Sequence, residues 1–219
     1  MNGAGQGKKQ TPNLPVRLAG VVLGVLMQGF GLAFIILADF GTDPLSTVCL
    51  ALTAYTPLSY GTWQLLCNFT LLLCVLALDR SMIGVGTVVN MLLIGYAADF
   101  FGWALRLFFP VLNGPLGMGL RIGLLVPGLA VFVCATAAYV SAGLGTGAYD
   151  APPFILSRRV PRVSLRTARW LWDAAFVILG FVLGGKVGAV TFLSALLLGP
   201  VISLLGGWFA RHLYRVELR

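Results

Sequence analysis

Charge is what this sequence has least of: Asp, Glu, Lys and Arg make up 10% of its 219 residues, against 58% hydrophobic residues. A soluble domain carries roughly 25% charged and about 45–50% apolar residues. So few charges cannot cover a water-facing surface, and a mean hydropathy of +0.93 calls for lipid as the solvent. Histidine is nearly missing too. The one His, His212, falls in a basic tail, which leaves no basis for a His-ligated metal site or a catalytic triad. Cysteine is sparse: Cys49, Cys67, Cys74 and Cys134 form no C-x-x-C pair. Inside apolar runs a thiol packs as a small hydrophobe, so neither a disulfide framework nor a zinc site is indicated. G-x-S-x-G, H-E-x-x-H and phosphate-binding loop motifs are lacking as well. The expectation is therefore no enzyme, no cofactor and no metal. Asn68-Phe69-Thr70 has the glycosylation pattern, but it lies inside an apolar run where no glycosyltransferase reaches it.

What is present is positive charge, +8 net, placed at the ends of apolar runs. Lys8, Lys9 and Arg17 precede or open the first run; Arg158, Arg159, Arg162, Arg166 and Arg169 form a cluster; Arg211, Arg215 and Arg219 close the chain. That is the positive-inside pattern, and not a nucleic-acid surface. The expected partner is the bilayer, with no nucleic acid.

The chain divides into a polar tail, residues 1–15, expected to be disordered and cytoplasmic, and two membrane parts, 16–109 and 120–213, within one membrane domain. A crossing needs about 20 apolar residues. Six runs qualify: Val16 to Ala38, Thr62 to Leu78, Met82 to Phe109 with a break near Gly84 and Gly86, Leu120 to Ala142, Ala168 to Gly184, and Val187 to Leu213. The stretches Asp39 to Gly61 and Gly143 to Arg166 are Gly/Pro-interrupted and read as irregular. Leu45 to Tyr55 within the first is a re-entrant half-helix or an interfacial turn. With six spans and a cytoplasmic N-terminus, twelve of the fifteen Lys and Arg lie inside, and only Arg106, Arg121 and Lys186 lie outside. Both termini are then cytoplasmic.

The two halves match when residue n is laid over residue n+104. Ala38 to Thr42 falls on Ala142 to Thr146, and Thr87 to Gly95 falls on Thr191 to Gly199; Arg17 meets Arg121 and Gly84 meets Gly188. A slip of one residue brings Ser59 onto Ser164 and Asn68 onto Asp173. Three spans per half is an odd number, so the second half enters the membrane from the opposite side. The expected fold is an all-α integral membrane protein of about six transmembrane helices, arranged as two inverted three-helix repeats with broken or re-entrant segments.

In such folds the ligand site forms from interrupted segments at matching positions. Here these are Gly41, Thr42 and Asp43 in one half and Gly145, Thr146 and Asp150 in the other. Their glycines free backbone amides that can bind an anion or a carboxylate. Asp43, ahead of Pro44, reads equally as a helix N-cap, and Asp150 could cap the segment at Pro152-Pro153. Polar residues inside spans add Asn68, Asp173, Asn90 and Ser194 as candidate substrate contacts. Asp173 sits four residues after Arg169 and reads equally as half of a structural ion pair; Asn90 and Ser194, with Thr87, Thr191, Gln28 and Gln64, could serve only interhelical hydrogen bonding. Asp99 could lie near the outer interface, close to Arg106.

Gly31-Leu32-Ala33, Ala38-x-x-Gly41-Thr42-x-Pro44, Tyr60-Gly61-Thr62 and Gly86 to Asp99 resemble the YczE/YyaS/YitT-type bacterial membrane proteins, and Gly143 to Asp150, Gly184 to Gly188 and Thr191 to Gly199 look like that family's repeat. The resemblance implies a multi-pass protein of the bacterial plasma membrane whose biochemical role is mostly undefined. It also implies a basic residue before the acid matched by Asp150, where Tyr149 stands here, and hence a difference in ligand. The leading expectation is a small secondary transporter or exporter of a small solute by alternating access. The alternative is a scaffold or regulator of another membrane or biosynthetic complex, using the Arg158 to Arg169 cluster; a membrane-embedded enzyme ranks third. A homodimer is one assembly open to it.

Overall fold

The computed structural model describes residues 14–160, 162–209 and 211–212; the expected N-terminal tail lies almost wholly outside them. Among the described residues eight α-helices follow one another: α1 (Leu14–Ala38), α2 (Pro44–Thr53), α3 (Tyr60–Leu78), α4 (Val85–Phe108), α5 (Met118–Ser141), α6 (Ala151–Arg159), α7 (Leu165–Val182) and α8 (Ala189–Phe209). The order long, short, long, long thus occurs twice. Four of them, α1, α3, α4 and α5, are long and apolar enough to cross a bilayer. The 18 residues of α7 include Arg166, Arg169 and Asp173, which makes it more polar than those four.

The boundaries have local causes. Asp43 caps α2 by accepting the Ser46 amide, with Pro44 in the first turn. Ser59 caps α3 through the Thr62 amide and Ser164 caps α7 through the Thr167 amide. These caps start both helices a few residues earlier than apolar content alone places them. The third run starts later than expected: a 3-10 turn at Arg80–Met82 comes first, Ile83 and Gly84 are extended, and α4 runs unbroken from Val85 through Gly86. Of the two readings of Leu45 to Tyr55, the short helix is the one that forms, as the ten-residue α2. One expectation needs correction. The stretch Gly143 to Arg166 is not irregular throughout, because α6 forms within it. Pro152 and Pro153 are compatible with that helix because they occupy its first turn, where amides lack intrahelical acceptors anyway.

At the centre α1 packs most extensively on α5. The crossing is close because it is built on glycine. A Cβ added at Gly31 would stand 2.6 Å from the Phe132 amide nitrogen, and one at Gly128 would stand 2.6 Å from Phe34 Cβ. The two helices run antiparallel: Arg17, at the start of α1, reaches Ala142 O just past the end of α5, and Arg121, at the start of α5, reaches Ala38 O at the end of α1. Val21, Val25, Leu32 and Ile35 of α1 form the core with Phe132 and Tyr139 of α5. Large apolar residues also face outward, among them Phe69, Leu73, Phe100, Trp103, Ile178, Phe181 and Phe192. A surface of this kind would aggregate in water and is at ease in hydrocarbon.

Candidate functional site

Two glycine-led turns set the site up. After α1 the chain passes Asp39 (φ 57°) and Gly41 (φ 89°); after α5 it passes Gly143 (φ 63°) and Gly145 (φ 118°). Left-handed backbone of this kind favours glycine. Space demands it too. A Cβ at Gly41 would lie 2.5 Å from Thr191 Oγ1, and one at Gly145 would lie 2.6 Å from Thr87 Oγ1. Each turn sits on the start of the other half's last helix. The Gly86 amide donates to Leu144 O at 2.8 Å, and the Val190 amide to Phe40 O at 3.2 Å. Arginines close both arrangements. Arg17 donates to Ala142 O and Gly143 O at 2.6 and 2.9 Å; Arg121 donates to Ala38 O at 2.8 Å and to Asp39 O.

The turns lead into the short helices. At the start of α2, Thr42, Ser46 and Thr47 are buried. Thr42 and Thr47 share a hydrogen bond of 3.1 Å, and Ser46 Oγ meets Tyr60 Oη of α3 at 2.9 Å. At the start of α6 the pattern changes. Asp150 occupies the N-cap position, yet its carboxylate makes no capping bond. Instead Asp150 Oδ1 accepts from Arg169 Nη1 at 2.6 Å. Arg169 Nε donates to Asp173 Oδ2 at 3.1 Å, and Tyr149 Oη donates to Asp173 Oδ1 at 2.6 Å. The guanidinium also lies over the Tyr149 ring, 5.4 Å from its centroid. Asp173 is 2% exposed, and a carboxylate at that depth needs such partners.

The buried stripe of α3 connects the starts of α2 and α6. Tyr60 touches Ser46 at one end, while Leu72 packs with Ala148 and Val75 with Ala151 at the other. Gln64 and Asn68 lie between, on the same stripe. Tyr139 of α5 completes the surroundings. Among the described residues its buried hydroxyl has no hydrogen-bond partner, and neither does Gln64 Oε1.

The residues expected from sequence therefore separate into groups. Asp150 and Asp173 share one cation, with Thr42 and Asp43 at the start of the neighbouring short helix. The N-cap reading holds for Asp43 and fails for Asp150, whose oxygen is drawn off by Arg169. Gly41, Gly145 and Thr146 shape the turns; Thr146 O accepts from Thr87 Oγ1 at 2.6 Å. The other three are held by local or interhelical bonds: Asn68 to Gln64 O at 2.9 Å, Asn90 to Gln28 Oε1 at 3.1 Å, and Ser194 to Thr191 O at 2.9 Å. Asp99 binds the Gly61 amide at 2.8 Å and, with Arg106 and Tyr60, lines a separate cavity of about 300 Å³. Sequence reasoning missed Tyr139, Tyr60 and Ser46 as site residues, and noted Tyr149 only as the residue ahead of Asp150, not as a partner of Asp173. The available signal was a set of hydroxyl side chains beside carboxylates in otherwise apolar sequence.

Comparison with known proteins gives three relatives of similar length. An "Uncharacterized protein" of Haemophilus influenzae is 26% identical over 191 residues, 87% of this chain and 84% of the relative. The "Uncharacterized membrane protein YczE" of Bacillus subtilis is 25% identical over 182 residues, 82% of this chain and 80% of its own. The "Uncharacterized protein YyaS" of Bacillus subtilis is 23% identical over 190 residues, covering 87% and 92%. A family described as "Family of unknown function (DUF6198)" matches residues 15–206. No solved structure matches the chain.

Proposed function

We infer the function of this chain from the premise that it belongs to the family of unknown function DUF6198, with YczE- and YyaS-type relatives, and from its buried ion cluster. It is an integral membrane protein. On our reading it is a carrier, not an enzyme: a small secondary transporter of a small solute, working by alternating access in the plasma membrane with both termini cytoplasmic. The observation that carries this is the bridge of Arg169 between Asp150, where α6 begins, and Asp173 in α7. An ion cluster in a membrane interior is costly to keep and marks solute or ion pathways.

The architecture supports the reading. Antiparallel α1 and α5, joined by reciprocal Arg17 and Arg121 clasps, fit two inverted halves. Each half would contribute three spans and one short broken helix, α2 or α6, giving six spans with α7 and α8 included. In inverted-repeat carriers one half closes as the other opens, around a site near the midplane. Each glycine turn then works as a hinge against the opposite half. The scaffold reading has less support, since three arginines of its basic surface are already engaged: Arg169 in the cluster, Arg158 with Asp79 at 3.6 Å, and Arg159 on Leu78 O at 2.6 Å.

Side-specific thiol labelling tests the carrier. The four native cysteines are removed and one cysteine is placed at Thr42 or Thr146. Each variant is exposed to a membrane-impermeant reagent from either face. Alternating access predicts that both positions react from both faces. Reaction of Thr42→Cys only from outside and of Thr146→Cys only from inside would leave two ordinary surface turns and end the carrier reading.

A further inference from the structure

We propose that the cavity where α1 and α2 end and α3 begins receives a small zwitterion with an apolar body, such as a free aliphatic amino acid, its ammonium on Asp99 and its carboxylate on Arg106. The inference rests on the carrier reading for the solute's passage; the pocket stands on its own geometry. The cavity measures about 300 Å³, and its lining includes Leu37 of α1, Leu50 of α2, Tyr60 of α3, and Asp99, Gly102 and Arg106 of α4. Asp99, Gly102 and Arg106 follow the i, i+3, i+7 spacing that aligns side chains along one helix face. Asp99 Oδ2 accepts the Gly61 amide at 2.8 Å. Among the described residues its Oδ1 accepts nothing, and the Arg106 guanidinium has neither an ion pair nor a hydrogen bond. Opposite charges thus share a face of α4 without closing on each other.

Gly102 keeps the space between them. It is buried, yet a Cβ there would meet only Arg106 Nη1, at 3.9 Å. Its φ is not positive, so the missing side chain gives room and not backbone freedom. With the guanidinium turned back to the level of Gly102, about one helical turn, roughly 5 Å, separates it from Asp99. An ammonium and a carboxylate on one carbon bridge such a gap with charge-assisted bonds of about 2.8 Å at each end. Leu37 and Leu50 supply apolar wall for the rest of the solute. A solute with one charge answers one group and leaves the other without a partner; a zwitterion answers both. Tyr60, in the same wall, heads the buried stripe of α3 that runs by Gln64 and Asn68, so a solute bound here stands at one end of that stripe. The headgroup of phosphatidylethanolamine carries the same two charges. A volume at the small end for ligand pockets favours the free solute.

The test uses the full chain in phosphatidylglycerol nanodiscs, which bring no ammonium of their own, and reads binding of radiolabelled leucine by scintillation proximity. Saturable binding is expected. 3-Methylbutylamine and 4-methylpentanoate are leucine without its carboxylate and without its ammonium. Each should compete about tenfold more weakly than unlabelled leucine, the cost of one charged hydrogen bond. Arg106→Gln, at an exposed position, should weaken leucine by a similar factor. Gly102→Leu is the informative variant. Leu is a better helix former than Gly and fills the gap, so binding should be lost while the melting temperature does not fall. No saturable leucine binding, equal competition by either single-charge analogue, or undiminished binding by Gly102→Leu would overturn the pocket. Nanodiscs containing phosphatidylethanolamine separate the sources: leucine binding that persists in them marks a solute site, whereas stabilisation by that lipid with no leucine binding overturns the free solute. Leucine uptake into protein-loaded vesicles separates the pocket from the carrier reading. Binding without flux upholds the pocket and defeats transport; flux that Gly102→Leu leaves unchanged does the reverse.

Discussion

Asp43 has two roles that chemistry can separate. Its Oδ2 caps α2, and as a carboxylate it brings a negative charge to the start of that helix. Asp43→Ala removes both and is expected to cost about 0.5–2 kcal/mol of stability through the lost cap, whereas Asp43→Asn should melt close to wild type; thermal unfolding of the purified protein distinguishes them. Arg169 has a stricter role. With Asp173 2% exposed, Arg169→Leu leaves an unpaired buried carboxylate, and the expected loss is about 3–5 kcal/mol. Adding Asp173→Asn should return much of it, because the stranded charge is gone, and a double-mutant cycle on melting reads the coupling. Independent behaviour of the two changes would contradict the ion pair. This pair was legible in the sequence, since Arg169 and Asp173 stand four apart on one helix face. Tyr149 was not, because its bond to Asp173 spans 24 positions and follows only from how α6 docks on α7. Asp150 read as a cap for the same reason: local sequence cannot show that a distant arginine outcompetes the helix's own amides for its oxygen.

The helices themselves were legible wherever an apolar run was long, as in α1, α3, α4 and α5. Helices α2 and α6 were harder. Ten and nine residues are too few for periodicity to separate a helix from a turn, and Pro152-Pro153 reads as a break until it is placed in a first turn. The glycine turns before them carry a prediction at this scale. Gly41→Ala and Gly145→Ala each place a Cβ on a left-handed backbone and against a threonine hydroxyl. Each should cost about 1–3 kcal/mol. Gly114→Ala meets nothing within 4 Å and should stay within about 0.5 kcal/mol of wild type. Thermal melting of the three variants side by side provides the check. Equal melting temperatures would mean that the turns yield without strain.

Across the whole molecule the two ends are not alike. Asp39, after α1, pairs with Arg121 at 3.5 Å and Lys186 at 2.8 Å. Its counterpart after α5 is Gly143, which brings no acid to Arg17. The turn after α1 therefore carries an ionic clamp that the turn after α5 lacks among the described residues. The clamp is exposed, with Lys186 76% accessible, so its strength is of surface order, about 0–1 kcal/mol. Asp39→Asn should then raise the labelling rate of Thr42→Cys by up to about fivefold and leave Thr146→Cys unchanged. A rise at both positions would show that the clamp holds the fold and not one end. The reciprocal turn contacts fall on Gly, Thr and Arg positions that the 104-residue offset lays over one another; the clamp was not legible, because it lies where that alignment fails.

That inequality bears on inheritance. A two-fold assembly of identical chains receives every substitution twice: an arginine at one site implies a second arginine at its mirror site. Here both halves share a single reading frame. Gln64 stands opposite Arg169, and Asn68 opposite Asp173, in the register that aligns Ser59 with Ser164. The reciprocal glycine and arginine contacts remain common to both halves, while mutation edits the charge of one half alone. A guanidinium laid over a glutamine in the aligned register is something that two copies of one identical chain could not encode.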